Sequence, residues 1–284
     1  MTIRELRDEL KAAVSHHYDE REAHQIALLT AAHLLGMGTQ TALLVADPQR
    51  EVTIEEELLR HTLEQLSAGI PMQYVLGQTD FYGRQFKVDQ RVLIPRPETE
   101  ELVDWISRAE PSAERILDIG TGSGCIAISL ALEKPASRVW ALDISPEALE
   151  VARENNRCLG AGVSFVEGDA LGPMEGFFEE KFDVVVSNPP YVPASDLEQM
   201  DANVRDHEPH LALFVPDDDL LRFYRAIARQ GQHLLRDEGR LYFEIYHTTA
   251  DAMHRMLTEE GYCAIEIRRD LSDKPRMVCC RKSR

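Results

Sequence analysis

Hydrophobic and polar positions divide the chain into two regimes. Up to about Gly69 the apolar residues recur at helical spacing, with Ile3, Leu6, Leu10 and Val14 on one face of the opening segment. "EREAHQIALLTAAHLLG" reads as a second helix that Gly36 can end. Thr53 and Glu56 form a capping-box pattern opening "EEELLRHTLEQLSAG", with Gly69 as its cap and Pro71 just beyond. The spacing predicts a small helical bundle. From residue 77 the pattern changes. In "GQTDFYGRQFKVDQRVLIP" the residues Phe86, Val88, Val92 and Ile94 bracket Asp89-Gln90, which predicts a β-hairpin.

Beyond the hairpin, strands and helices alternate: strand 115–119, helix 123–133, strand 139–144, helix 146–158, strand 163–167 and strand 182–187. A helix near 219–235 follows, then strand 240–246, helix 248–260 and strands 263–269 and 276–282. Such alternation implies an α/β fold, a mostly parallel sheet with helices on both faces. The last two strands are joined by the short "SDKP" and predict one antiparallel strand in that sheet. The expected division is a helical bundle over 1–76, a hairpin linker over 77–95 and an α/β domain over 96–284.

Composition narrows the function classes. A formal net charge of −18 disfavours a partner held by its phosphate backbone, because that binding is carried by clustered Lys and Arg. No direct nucleic-acid binding is expected. Five cysteines, an odd number without a CxxC pair, fit free thiols in a reducing compartment. The opening "MTIRELRDELKAAV" is charged and amphipathic, unlike a signal peptide, and no apolar run approaches the roughly 20 residues that span a bilayer. A cytoplasmic protein without a membrane partner is expected. His16, His17, His24 and His33 lie on polar or mixed helical faces and read as structural rather than metal-binding.

Candidate chemistry begins at the end of strand 115–119, where Asp118 precedes Gly120-Thr121-Gly122-Ser123-Gly124-Cys125. Glycines at a strand-to-helix turn let a ligand approach the backbone. Cys125 stands where a dinucleotide fingerprint would place another glycine, and no Gly-Lys-Ser/Thr of a phosphate loop is present. Asp143 ends the next strand, where a carboxylate can accept both hydroxyls of a ribose. Asp169, followed by Ala170, ends the third strand, placed to meet the exocyclic amine of an adenine. Ser145 with Pro146 already supplies the helix cap that Asp143 could otherwise be. Together these groups describe a nucleoside pocket without a phosphate site, which S-adenosylmethionine matches.

The fourth strand, Phe182–Ser187, then stops at Asn188-Pro189-Pro190-Tyr191. Neither proline can donate to a ladder. A planar amide or amine nitrogen is a poor methyl acceptor because its lone pair is delocalised, and positive charge grows on it during attack. Two acceptor oxygens facing its N–H groups would orient it and stabilise that charge. The side-chain carbonyl of Asn188 and the backbone carbonyl of Pro189 can supply them, with Pro190 holding Pro189 extended. Tyr191 offers an aromatic face for a flat group.

These motifs, in this order, resemble class I S-adenosylmethionine-dependent methyltransferases acting on planar nitrogen, with a Rossmann-like sheet. "FYGRQFKVDQRVLIPRPETEELVDW" (81–105) and "HEPHLAL" (207–213) narrow the resemblance to the HemK-type peptide chain release factor glutamine methyltransferases. The resemblance runs the length of the chain. It implies methylation of the side-chain amide (N5) of the glutamine in the Gly-Gly-Gln loop of release factors, with S-adenosylhomocysteine as product and no metal. It further implies cofactor contacts from Gly120 to Gly124, Asp143 and Asn188, and a glutamine pocket of Asn188, Pro189, Pro190 and Tyr191. Arg96 to Glu100 would lie near the methionine end, and the helical bundle would dock the release factor. Two positions depart from the family pattern: Ala170 replaces a frequent aromatic residue, and Ile245 replaces a glycine after Glu244. An adenine-N6 methyltransferase acting on DNA or RNA, by base flipping from a duplex, and a non-catalytic binding scaffold are the alternatives.

Overall fold

Thr2 opens the first helix by a reciprocal cap: its hydroxyl accepts from Glu5 N at 3.2 Å while the Glu5 carboxylate accepts from Thr2 N at 2.7 Å. The computed structural model describes residues 1–37, 40–174 and 176–283. They form two compact units, Met1–Gln78 with Met200–Glu208, and Thr79–Gln199 with Pro209–Arg284. The first unit contains helices α1 (Ile3–Val14), α2 (Glu20–Leu34), α3 (Gln40–Val45), α4 (Glu56–Ser67) and α5 (Met72–Leu76). Ile3, Leu6, Leu10 and Val14 are all fully buried, as their spacing predicts, against Ala27, Ala31 and Leu66. Gly36 and Gly69 follow α2 and α4 with positive φ.

The expected capping box at Thr53 and Glu56 does not form: α4 starts at Glu56 behind Glu55, which makes no side-chain cap. The cause is upstream. Glu51 forms a β-bridge with Thr2, and Val52 N donates to Met1 O at 2.9 Å, so the segment is held extended until residue 55. Two of the histidines make hydrogen-bond contacts within this unit, with His17 Nε2 at 2.9 Å from Ser67 O and His33 Nδ1 at 3.3 Å from Gln78 Nε2.

Next along the chain is a hairpin, β1 (Gln78–Phe81) and β2 (Arg84–Lys87). Its turn is Tyr82-Gly83, with φ of 49° and 71°, not Asp89-Gln90. Two positive φ values in a two-residue loop match the strand twist, and glycine adopts one of them freely. Asp89 instead starts a separate turn, its carbonyl accepting from Val92 N at 3.1 Å. Next comes α6 (Pro97–Ala109), a helix with Pro97 in its first turn that the strand-helix alternation did not include.

The elements that follow are β3 (Arg115–Ile119), α7 (Cys125–Glu133), β4 (Arg138–Asp143), α8 (Pro146–Leu159), β5 (Val163–Glu167) and β6 (Phe182–Ser187). They continue with β7 (Val192–Pro193), α9 (Ala202–His207, in the first unit), β8 (Phe214–Val215), α10 (Arg222–Leu234) and β9 (Leu235–Glu244). The last are α11 (Ala250–Glu259), β10 (Tyr262–Arg269) and β11 (Pro275–Lys282). Seven strands form one sheet in the order β10-β11-β9-β6-β3-β4-β5, in which β11 alone runs antiparallel to its neighbours.

Strand alternation sends side chains to two cores. Ile116, Val184 and Val186 pack with α6 and α7, while Leu117, Ile119 and Val185 pack with α10 and α11. From β3 the chain proceeds outward through β4 and β5, then returns to the other side of β3 as β6. This reversal opens a crevice at the carboxyl ends of β3, β4 and β6. No helix of the described residues is long and apolar enough to cross a membrane.

Candidate active site at the strand ends

The turn after β3 is held from several sides. Gly120 N and Thr121 N donate to Leu142 O at 2.8 and 3.1 Å, tying it to β4. Thr121 Oγ1 donates at 2.6 Å to Asp118 Oδ2, and burial pushes the Asp118 carboxyl up to about 7. Ser123 is buried, with its carbonyl accepting from Asn155 Nδ2 at 2.9 Å. Gly124 has φ +83°, and a Cβ there would stand 2.8 Å from Ile128 Cδ1 and 3.2 Å from Ala152 Cβ, so α7 and α8 close on it. The five turn residues thus divide. Gly120 and Gly122 line a cavity of about 240 Å³, while Thr121, Ser123 and Gly124 hold the turn from behind.

Asp143 ends β4 at the rim of the same cavity. Its Oδ2 accepts from Gly122 N at 2.8 Å and its Oδ1 from Ser145 N at 3.0 Å. Burial raises its pKa, and the backbone N–H groups oppose the rise. Each oxygen keeps a lone pair for a hydroxyl of a ligand. The Ser145 hydroxyl accepts from Ala148 N at 3.0 Å, so the α8 cap is Ser145, leaving Asp143 for the crevice. Asp169 lies two residues past β5 and lines the cavity, with Oδ1 accepting from Leu171 N at 2.8 Å. Ala170 also lines it, and Ile144, Leu171, Phe223 and Ile227 supply its apolar walls. Phe223 and Ile227 come from α10, which the sequence marked only as a helix and not as part of a site.

At the end of β6, Asn188, Pro189 and Pro190 line the cavity opposite the glycine turn. Ser187 Oγ donates to Ile119 O at 2.6 Å, fastening the ends of β6 and β3 together. With two residues lacking N–H groups, the next donors are Tyr191 N and Val192 N, and both bond to Leu213 O. Tyr191 does not line this cavity. Its hydroxyl turns inward to donate to Glu244 Oε1 at 3.1 Å, and its ring stacks on Tyr246, with centroids 5.9 Å apart and planes at 20°.

Residues 96–100 contribute differently from one another. Thr99 is buried and receives the Asn188 Nδ2 donor at 3.3 Å, while its own hydroxyl donates to Glu244 Oε2 at 2.6 Å. Glu100 instead accepts from Tyr82 N at 2.9 Å, and with Glu98 it lines a separate groove. The link from Asn188 through Thr99 to Glu244 had no sequence signal, because its members lie far apart in the chain. Ile245 is fully buried without positive φ, so the position after Glu244 needs no glycine. His210 packs edge-on against Phe214, centroids 5.2 Å apart. Among the described residues no group of three or more His, Cys, Asp or Glu side chains is arranged to hold a metal, and all five cysteines are free.

A protein family described as "Methyltransferase domain" matches residues 110–283. Among solved structures, a methyltransferase from Pyrococcus furiosus is similar with a TM-score of 0.54 at 17% identity, over 72% of this chain and 91% of that one, a likeness of fold. Sequence relatives are much nearer. The release factor glutamine methyltransferase of Bacteroides thetaiotaomicron is 44% identical over 92% of this chain and 93% of its own length. The protein of the same name from Flavobacterium psychrophilum is 37% identical over 98% of both. With identity of this degree from one end to the other, the chain belongs to the release factor glutamine methyltransferase family.

Proposed function

We propose that the protein transfers a methyl group from S-adenosylmethionine to the side-chain amide nitrogen (N5) of a glutamine in peptide chain release factors, the glutamine of the Gly-Gly-Gln loop. The observation that carries the reading is one cavity lined both by Gly120, Gly122, Asp143 and Asp169 and by Asn188 and Pro189. The first four suit a nucleoside, and the last two suit a planar N–H group. The donor and acceptor chemistry fits the cofactor: Asp143 offers free lone pairs to ribose hydroxyls, Asp169 can accept from the adenine amine, and apolar walls flank them. When bound, S-adenosylmethionine supplies an electrophilic methyl group on a sulfonium. The chain's own residues orient the acceptor.

Asn188 Oδ1 and the Pro189 carbonyl accept the two N–H groups of the glutamine amide, hold its nitrogen toward the methyl, and stabilise the charge that grows on it. With a methyl donor bound, gain of the N–C bond at that nitrogen would be matched by loss of the donor's S–C bond, and the surplus proton would leave to water, so these residues would need to supply no strong base. Tyr191, fixed by Glu244 and Tyr246, stands outside the cavity and supports the acceptor pocket through the Glu244 it shares with Thr99 rather than by lining it. The helical unit, which exposes Leu44, Val45 and Leu58, serves to dock the release factor. The reading sets the reaction in the cytosol without a metal or a nucleic acid, and free thiols support it.

The test offers purified protein labelled S-adenosylmethionine with a release factor, its Gln→Ala loop variant and total nucleic acid in parallel. Label on the intact release factor alone is expected. Label on both release-factor forms, or on nucleic acid only, would sink the assignment. Asn188→Ala should lower kcat by about 100-fold or more with little change in cofactor affinity, as for loss of a transition-state contact.

A further inference from the structure

We infer that Thr99 and Glu244 are positioning residues that decide which edge of the Asn188 amide faces the cavity, presenting its carbonyl oxygen rather than its amino group to the substrate nitrogen. The inference rests on the role of Asn188 proposed above and deepens it. An asparagine amide has nearly the same shape either way round, so packing alone does not select its orientation. The hydrogen-bond partners select it. If the amino group faced the cavity, two donors would oppose the N–H groups of the acceptor amide.

The selection starts at Glu244, which is 1% exposed at the end of β9. Its carboxylate can only accept when ionised. Oε1 takes the Tyr191 hydroxyl proton at 3.1 Å and Oε2 takes the Thr99 proton at 2.6 Å. Thr99 has a single hydroxyl proton, so toward Asn188 its oxygen is an acceptor, and it receives Nδ2 at 3.3 Å. Turning the amide over would set Asn188 Oδ1 against the Thr99 oxygen with no proton between them. The wrong edge is thereby disfavoured by repulsion as well as by a lost bond. Oδ1 is left on the opposite edge of the amide plane.

Each member sits on a rigid element. Thr99 belongs to the first turn of α6, whose Leu102, Val103 and Ile106 are fully buried. The ends of β6 and β9 are neighbours in the sheet, with Ser187 paired to Phe243. Tyr224 donates to the Glu244 backbone carbonyl at 3.0 Å and so leaves both carboxylate oxygens to Tyr191 and Thr99. The charged groups facing Glu244 are Arg276, which favours its ionised form, and Glu98, which opposes it. Arg276 is itself tied to Asp270, Nε to Oδ2 at 3.0 Å.

The test uses the full-length enzyme with a release factor and labelled S-adenosylmethionine. Thr99→Val keeps the shape of the side chain and removes the hydroxyl. It is expected to lower kcat about 10- to 100-fold, the usual effect of losing a group that aligns a reacting one, while the Kd for S-adenosylmethionine by calorimetry stays within about twofold. Thr99→Ser restores the hydroxyl and should recover most of the turnover. In an Asn188→Ala background Thr99→Val should cost nothing further, because its effect runs through Asn188. Should Thr99→Val fail to fold by circular dichroism, Glu244→Gln serves the same test, since a carboxamide can donate as well as accept and no longer dictates the Thr99 proton. Full turnover in Thr99→Val, or equal losses with and without Asn188, overturns the inference. If Asn188→Ala itself keeps its turnover, the proposed role of Asn188 has failed instead.

Discussion

Alanine at Gly122 and at Gly124 should separate ligand approach from packing within a single turn. Both residues have positive φ, +53° and +83°, so a side chain at either costs about 1–2 kcal/mol of backbone strain. The surroundings differ. Nothing stands within 4 Å of a Cβ at 122, whereas one at 124 meets Ile128 Cδ1 at 2.8 Å and Ala152 Cβ at 3.2 Å. Ile128 could turn, but an alanine methyl has no rotamer, so α7 and α8 must spread. Overpacking of this kind adds about 1–3 kcal/mol. Gly122→Ala is therefore expected to cost about 1–2 kcal/mol in all and Gly124→Ala about 2–5 kcal/mol. Thermal melts without cofactor read this at about 2–4 °C per kcal/mol. Affinity should rank the other way. The space beside Gly122 is cavity, so its alanine should weaken S-adenosylmethionine binding about tenfold or more, a loss of about 1.4 kcal/mol. Folded Gly124→Ala should bind nearly as the wild type does. Equal destabilisation of the two variants refutes the packing account, and unchanged affinity in Gly122→Ala removes Gly122 from the cofactor site.

Asp143→Asn should raise the Kd for S-adenosylmethionine about 10- to 100-fold, since one edge of a carboxamide must oppose Gly122 N or Ser145 N, which now donate to the carboxylate. At saturating cofactor kcat should change little, and an equal loss in kcat would assign Asp143 to the transfer step. Turnover should also carry an acid limb from Glu244, whose pKa burial raises above its ordinary 4.5. The relay to Asn188 needs the ionised form, so kcat falls as pH drops through that raised value, and Glu244→Gln lacks the limb; a wild-type limb at or below 4.5 contradicts the burial argument. Stability moves oppositely. Between 4.5 and the raised value the folded state binds more protons than the unfolded, so wild-type stability falls as pH rises, and its Tm should drop relative to Glu244→Gln across that window.

Local rules were legible where neighbours in sequence decide the structure. Strands 115–119, 163–167 and 182–187 fall at the expected residues because short segments rich in Ile, Val, Leu and Phe between turn formers leave few alternatives. The capping box at Thr53 failed because a remote strand bridge, Thr2 to Glu51, outweighed a local preference. The hairpin turn moved to Tyr82-Gly83 because positive φ, available cheaply at glycine, counts for more than the polarity of Asp89-Gln90.

The site shows the same division more sharply. Gly120, Gly122, Asp143, Asp169, Asn188 and Pro189 each lie at or just past the carboxyl end of a strand, and strand ends in a doubly wound sheet converge on one crevice, so period and topology together bring them to one cavity. What sets the direction of the Asn188 amide is of another kind. Thr99 lies 89 residues from Asn188 and 145 from Glu244, and no periodicity links them. In the sequence Glu244 drew notice only through its neighbour Ile245, as the place of a missing glycine. Yet Glu244 is buried with both oxygens engaged, and a buried carboxylate so engaged dictates where its neighbours' protons point. The visible motif at Asn188 supplies the acceptor oxygen; a threonine in the first turn of a helix and a glutamate at the end of another strand determine that this oxygen is the atom presented.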